Sequence, residues 1–171
     1  MELTDGIVTI RPPIDADAGE IVEGVRLSHN ELYPWMPWAK ADYDLADAMP
    51  WIDGQLDPHP FVIIAPDGHV VGTIGLNGID TINGIANLGY WLRTDRAGNG
   101  YATMASKLVA DYGLTALAFQ RIEIVMSVEN EPSRAVARRT GAAYEGVLRN
   151  RLRLHGRMHD AHSYSLIPRT G

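Results

Sequence analysis

The chain has no cysteine, which excludes disulfides, thiolate metal sites and a cysteine nucleophile together, so that any covalent chemistry falls to other groups and no metal is expected. It has no apolar run approaching the roughly 18 to 20 residues that cross a bilayer. Its start, Met1 to Arg11, has no basic stretch followed by an apolar one, so the expected location is cytoplasmic, away from membranes. Low-complexity tracts and internal repeats are also missing, and 46% hydrophobic with 21% charged residues is the balance of an ordinary globular protein. At 171 residues without a linker-like stretch, one domain over 1–171 is expected. Positive charge is scarce early on, where residues 1–60 hold 12 acids against Arg11, Arg26 and Lys40. With a formal net charge of −6, this argues against a broad nucleic-acid surface. Seven arginines from Arg134 to Arg157 reverse the sign, so one end suits anions and another suits cations.

Hydrophobic periodicity then orders the elements. Ile7 to Ile10 alternate before Arg11-Pro12-Pro13, a short strand closed by a rigid turn. Asp15 or Asp17 caps a helix whose apolar positions are Ile21, Val22, Val25 and Leu27, with Glu20, Glu23 and Arg26 toward water. The prolines of Tyr33-Pro34-Trp35-Met36-Pro37-Trp38 forbid a regular helix throughout, and a second short helix falls around Asp44 to Leu56. Three antiparallel strands follow at Phe61 to Ala65, Val70 to Leu76 and Ile85 to Leu92, with turns at Asp67-Gly68 and Asn83-Gly84. From Tyr101 the rhythm becomes helical: Tyr101, Met104, Ala105, Leu108, Val109 and Tyr112 share a face, and Ser106, Lys107 and Asp111 fall outside it. Arg121 to Val128 alternates again, Pro132 and Gly141 bracket a helix, and Tyr144 to Leu154 with Met158 to Ile167 form a closing hairpin around His155-Gly156. The order is that of an α/β (α+β) protein with a mixed sheet, and the topology stays open at this point.

The stretch Leu92-Arg93-Thr94-Asp95-Arg96-Ala97-Gly98-Asn99-Gly100-Tyr101-Ala102 joins a strand end to an amphipathic helix. Gly98 and Gly100 permit positive φ and close backbone approach, and the first N–H groups of the helix favour an anion such as a phosphate. The plainer reading is a simple glycine turn. A dinucleotide fingerprint needs a further glycine where Thr103 stands, and a P-loop needs Gly-Lys-Ser/Thr, which is absent; both are disfavoured.

Arg96 to Ala105 resembles the acyl-CoA pyrophosphate loop of GNAT acetyltransferases, Gln/Arg-x-x-Gly-x-Gly/Ala, with Gly100 and Ala102 at its fourth and sixth positions and Ala97 in place of the usual Gln/Arg. Asn130-Glu131-Pro132-Ser133 through Val136-Ala137 to Gly141 resembles the Asn-x-x-Ser-x-x-Val-Ala…Gly block of the RimJ/RimL branch. Asn30 to Trp38 resembles its Trp-Met/Leu-Pro-Trp signature, and Gly156 to Tyr164, with Asp160, its final hairpin.

The resemblance implies the GNAT fold: a mixed, mostly antiparallel central sheet with splayed strands and helices on both faces. It also implies acetyl transfer from acetyl-CoA (coenzyme A) to a primary amine by direct attack through a tetrahedral intermediate. The coenzyme is expected on Trp91, Leu92, Arg96, Ala97, Gly98, Asn99, Gly100, Tyr101, Ala102, Asn130 and Ser133. The strand Ala86 to Leu92 splays from its neighbour, and a backbone N–H near Trp91 or Leu92 is the oxyanion donor. Asn130 holds a pantetheine amide and Ser133 hydrogen-bonds the leaving sulfur, although both residues also suit plain helix capping. Ala137 stands where many GNAT enzymes carry a catalytic tyrosine. Tyr33, Trp35 and Trp38 wall the amine site or anchor the core. Glu123, Asp160 and His162 are the candidates for general base. A weak or water-mediated base favours an α-amine, which is appreciably neutral near pH 7, over a lysine amine. The resemblance to this branch implies a protein N-terminus as the acceptor, with a small molecule such as an antibiotic, polyamine or aminoacyl compound as the second reading and a non-catalytic acyl-CoA-binding module as the third. Arg149, Arg151 and Arg153 are solvent-exposed in the simplest reading and contact ribosomal RNA or an acidic protein in another. Similar enzymes are commonly homodimers.

Overall fold

The computed structural model describes residues 1–168; the last three residues of the expected domain lie outside the described residues. The strands are β1 (Leu3–Thr4), β2 (Thr9–Arg11), β3 (His59–Ile64), β4 (Val70–Asp80), β5 (Ile85–Leu92), β6 (Arg121–Ser127), β7 (Ala143–Leu154) and β8 (Arg157–Leu166). They form one eight-stranded sheet in the order β1-β2-β3-β4-β5-β6-β8-β7. Every pairing is antiparallel except that of β5 with β6. Helices α1 (Ala18–Leu27), α2 (His29–Leu32) and α3 (Leu45–Ile52) precede β3, while α4 (Tyr101–Thr115) and α5 (Glu131–Thr140) flank β6.

Local chemistry sets the ends of these elements. The Asp44 carboxylate accepts from the Asp47 backbone N–H and the Asp47 carboxylate from that of Asp44, a reciprocal cap on α3. Pro132 lies in the first turn of α5, where its missing N–H costs nothing, and Gly141 closes that helix at φ 91°. The two faces of the sheet carry separate apolar clusters. Ile21, Val25 and Ile52 meet Val62 and Trp91 on one side. Ala105, Val109 and Ala137 meet Ile74, Leu76 and Ile122 on the other. Each fully buried aliphatic side chain contributes about 1.5–3 kcal/mol by leaving water.

Three sequence expectations need correcting. The first strand is a short hairpin, β1 with β2, because Thr4 and Asp5 side chains grip the intervening turn. Leu27, at the end of α1, is 47% exposed, outside the apolar stripe that Ile21, Val22 and Val25 bury. Ser106 is fully buried, since α4 is covered by α5 as well as by the sheet.

The feature that matters most for function is a parting of strands. β5 pairs with β6 only through Ile85, Ala86 and Asn87, while its pairing with β4 continues to Leu92. Leu88 to Leu92 therefore present one backbone edge to a cleft.

Candidate active site

The cleft ends in the glycine loop, which is held from several sides. Gly24 of α1 is a close-approach glycine: a Cβ there would lie 2.8 Å from Arg93 Cγ and 3.2 Å from the Trp91 ring. Arg93, buried beneath α1, pairs with Asp95 (3.1 Å) and Glu23 (3.3 Å). The Thr94 N–H donates to Ser28 Oγ at 3.0 Å, tying the loop to the end of α1. Gly98 (φ 84°) and Gly100 (φ 79°) then turn the chain through the left-handed region into α4. No side chain caps α4, so its first-turn N–H groups and positive dipole end remain available to an anion. Arg96 reaches away from the loop to Asp67 (2.7 Å).

A cavity of about 740 Å³ runs from this loop along β5 to α5. Ala97 to Thr103 line one end; Asn130, Ser133 and Arg139 line the other, with Tyr90, Trp91 and Leu92 between. The backbone polarity of β5 follows from alternation. The Arg93 N–H donates to the Val71 carbonyl on β4, and the Trp91 carbonyl lies 2.1 Å from where a Gly72 Cβ would sit, so Arg93 and Trp91 turn their backbone groups to β4. Tyr90 and Leu92 turn theirs to the cleft. Of the two expected oxyanion donors, Leu92 has the free N–H.

Asn130 caps α5 through its side-chain oxygen, which accepts from the Ser133 N–H at 3.2 Å. Both residues line the cavity, and the Asn130 amide N–H₂ makes no hydrogen bond among the described residues. Tyr90 Oη donates to Ser133 Oγ across 3.4 Å, and burial pushes the phenol above its ordinary pKa, so it stays protonated.

A second cavity, of about 510 Å³, lies on the α1–α3 face of the sheet. Trp38, Tyr43, Trp51 and Trp91 line it, along with Asp47, Asp57 and the paired floor glycines Gly75 and Gly89. Met36, Tyr90 and Trp91 line both cavities, so the two meet across β5. Burial pushes the Tyr43 phenol up to about 12. Asp57 is 9% exposed, and its carboxyl is raised by desolvation against the lowering effect of the His59 N–H bond.

Of the residues expected at the amine site, Trp38 lines the second cavity and Trp35 the first. Tyr33 lines neither: its ring packs at a tilt against His29 and His155, and its carbonyl accepts from His155 Nε2 at 2.7 Å. Glu123, Asp160 and His162 are likewise absent from both walls. Glu123 pairs with Arg121 (2.9 Å), Asp160 accepts the Asn150 N–H (2.8 Å), and buried His162, its pKa lowered by desolvation and by Arg134, meets the Tyr144 hydroxyl (3.2 Å). Arg149, Arg151 and Arg153 are exposed on β7. Sequence reasoning passed over Tyr90, Asp57 and Arg139. The signal that was present was glycine inside strands, at Gly72, Gly75 and Gly89, which marks close approach or room for a ligand.

A family model described as "Acetyltransferase (GNAT) domain" matches residues 8–143. The chain is 36% identical over 118 residues to the uncharacterized N-acetyltransferase p20 of Bacillus licheniformis, covering 69% of this chain and 66% of that one. It is 30% identical over 107 residues to the ribosomal-protein-serine acetyltransferase of Escherichia coli, covering 63% and 59%. The aligned stretch thus spans somewhat less than two thirds of these relatives. Among solved structures, RimJ of Mycobacterium smegmatis, in complex with a CoA disulfide, superposes with a TM-score of 0.84 at 29% identity, covering 95% of this chain and 82% of that one. The glycine loop, the parted strands and the family match agree, and the chain belongs to the GNAT acetyltransferases.

Proposed function

We propose that the protein transfers the acetyl group of acetyl-CoA to a primary amine, and that the acceptor is a protein N-terminal α-amine. The observation that carries this reading is the meeting of two cavities at one stretch of unpaired β5 backbone. The residues present fit the coenzyme. The uncapped N-terminus of α4 and the positive-φ glycines suit the pyrophosphate, which backbone N–H groups can grip although Ala97 offers no polar side chain. Arg139 lines the same cavity and adds a cation to it. Tyr90 and Leu92 offer backbone groups to the pantetheine arm, and the Asn130 amide offers a side-chain donor.

The thioester supplies an activated acetyl group; everything else falls to this chain. The Leu92 N–H donates to the carbonyl oxygen as charge builds there while the new C–N bond forms. Ser133 Oγ donates to the sulfur as the C–S bond breaks, and Tyr90 Oη hydrogen-bonds that hydroxyl, keeping a proton near the departing thiolate. The proton lost by the amine passes to water. None of the candidate bases lines the cavities, which favours an amine that is already partly neutral near pH 7, as an α-amine is. The relationship to a ribosomal-protein-serine acetyltransferase supports a protein acceptor.

A panel of N-terminal peptides, assayed by release of free coenzyme A thiol, tests the proposal. Turnover of several peptides, with the product modified at the α-nitrogen, is the expected result. Turnover confined to small amines would move the assignment to a small-molecule acetyltransferase.

A further inference from the structure

The second cavity contains a buried carboxylate that the transfer reaction leaves without a task. Asp57 lies under α3 just before β3, and a Cβ on Gly75 would sit 2.5 Å from its Oδ2, so that glycine is what lets the carboxylate rest on the sheet. Its Oδ1 accepts the His59 N–H at 3.1 Å, and the Trp51 indole stands beside it. None of the ion pairs among the described residues involves Asp57. Asp47, the other carboxylate on this wall, is already matched by Lys40 at 3.0 Å. A desolvated carboxylate outside any ion pair costs folding free energy, and the cavity it lines also carries Trp38, Trp51 and Trp91, a residue type whose ring attracts cations.

Position decides between two uses. Gly75 pairs with Gly89, and Gly72 with Leu92, so Asp57 sits about 10 Å along the strands from the Leu92 N–H and one strand farther from the cleft. That is too far to take the proton of the attacking amine, for which hydrogen-bond reach is required. It is the right distance to hold a second charge on the same molecule.

We infer that the second cavity recognises acceptors carrying a second alkyl cation, ammonium or guanidinium, on the order of 10 Å from the reacting nitrogen, with Asp57 as its counter-ion and Trp38, Trp51 and Trp91 around its stem. The inference rests on acetyl transfer to a primary amine. It names chemistry shared by two sources, the basic side chain of a peptide near its N-terminus and the distal amine of a linear polyamine.

The test compares matched pairs: unbranched α,ω-diamines of rising length against alkyl monoamines, and Ala-Lys peptides against Ala-norleucine peptides. For the wild type, the expected kcat/KM ratio favours the dication on the order of tenfold, expressed mainly in KM. Whether the peptide or the diamine pair shows the larger ratio identifies the source. In Asp57→Asn the ratio falls toward one. A wild-type ratio near one for both pairs, or a preference that survives Asp57→Asn, would overturn the inference. Calorimetric binding of the same diamines and monoamines to the complex with coenzyme A reads the same ratio without turnover, so failure of transfer and failure of recognition are separate results. Asp57→Asn is expected to raise the thermal midpoint above pH 7, because it removes a buried charge; a purely structural carboxylate would lower it.

Discussion

The Tyr90–Ser133 pair joins two hydroxyls across 3.4 Å between residues that line the first cavity, in a chain where Ala137 offers no tyrosine hydroxyl. Tyr90→Phe removes one oxygen and keeps the ring that packs against the α4 side of the sheet. The expected effect is a fall in kcat of about tenfold or more with little change in the KM for acetyl-CoA. The defect should shrink when the donor is a thioester of a more acidic thiol, because such a thiolate leaves without help. An equal loss with both donors would assign Tyr90 a packing role. At this scale the sequence was partly legible. Ser133 and Asn130, which line the first cavity, belong to a motif, whereas the neighbours that single out Tyr90 and Asp57 lie across the sheet. Gly89-Tyr90-Trp91-Leu92 reads as an apolar strand, and alternation says which side each residue takes without saying what faces it. The same blindness put Ser106 outside the core.

At the scale of elements, caps and periodicity carried most of the reading, since Asp44, Pro132 and Gly141 act within one helical turn of themselves. Strand order and the parting of β5 from β6 depend on long-range pairing, which a local pattern does not specify. The far side of the sheet is held by a charged clamp. Arg121 of β6 reaches across β8 to Glu145 of β7, and the Glu145 carboxylate also accepts the Ser165 hydroxyl at 2.7 Å. Bonding to Arg121 and Ser165 holds the Glu145 carboxyl down at about 2. The folded pKa lies below the unfolded one, so the stabilisation is complete above about pH 4.5 and disappears as pH falls toward 2. Because the Glu145 side chain is 38% exposed, solvent screening limits the contribution to about 1 kcal/mol. Denaturant unfolding of Glu145→Gln between pH 7 and pH 3 should show a deficit of that size at neutral pH that shrinks on acidification; a constant deficit would contradict the clamp.

At the scale of the whole molecule, the charge asymmetry takes on a use. The acid-rich first 60 residues supply Asp47 and Asp57 to the second cavity, proposed here for the acceptor, on the face opposite α4 and α5, and the later arginines supply Arg139 to the first, proposed for the coenzyme. In the proposed reaction a cationic acceptor and an anionic coenzyme are thus drawn to opposite sides of β5, where Tyr90 and Trp91 line both cavities. The glycine loop is common to every step of this account. Titration of acetyl-CoA into the protein by calorimetry tests it most directly. Saturable binding at one site is expected, with an affinity in the range of about 1–100 µM, and its loss in Gly100→Val, where a β-branched residue cannot hold a φ of 79°. Absence of binding to the wild-type protein would mean that the loop without a polar residue at Ala97 does not grip the coenzyme, and the proposed acetyl transfer would fall with it.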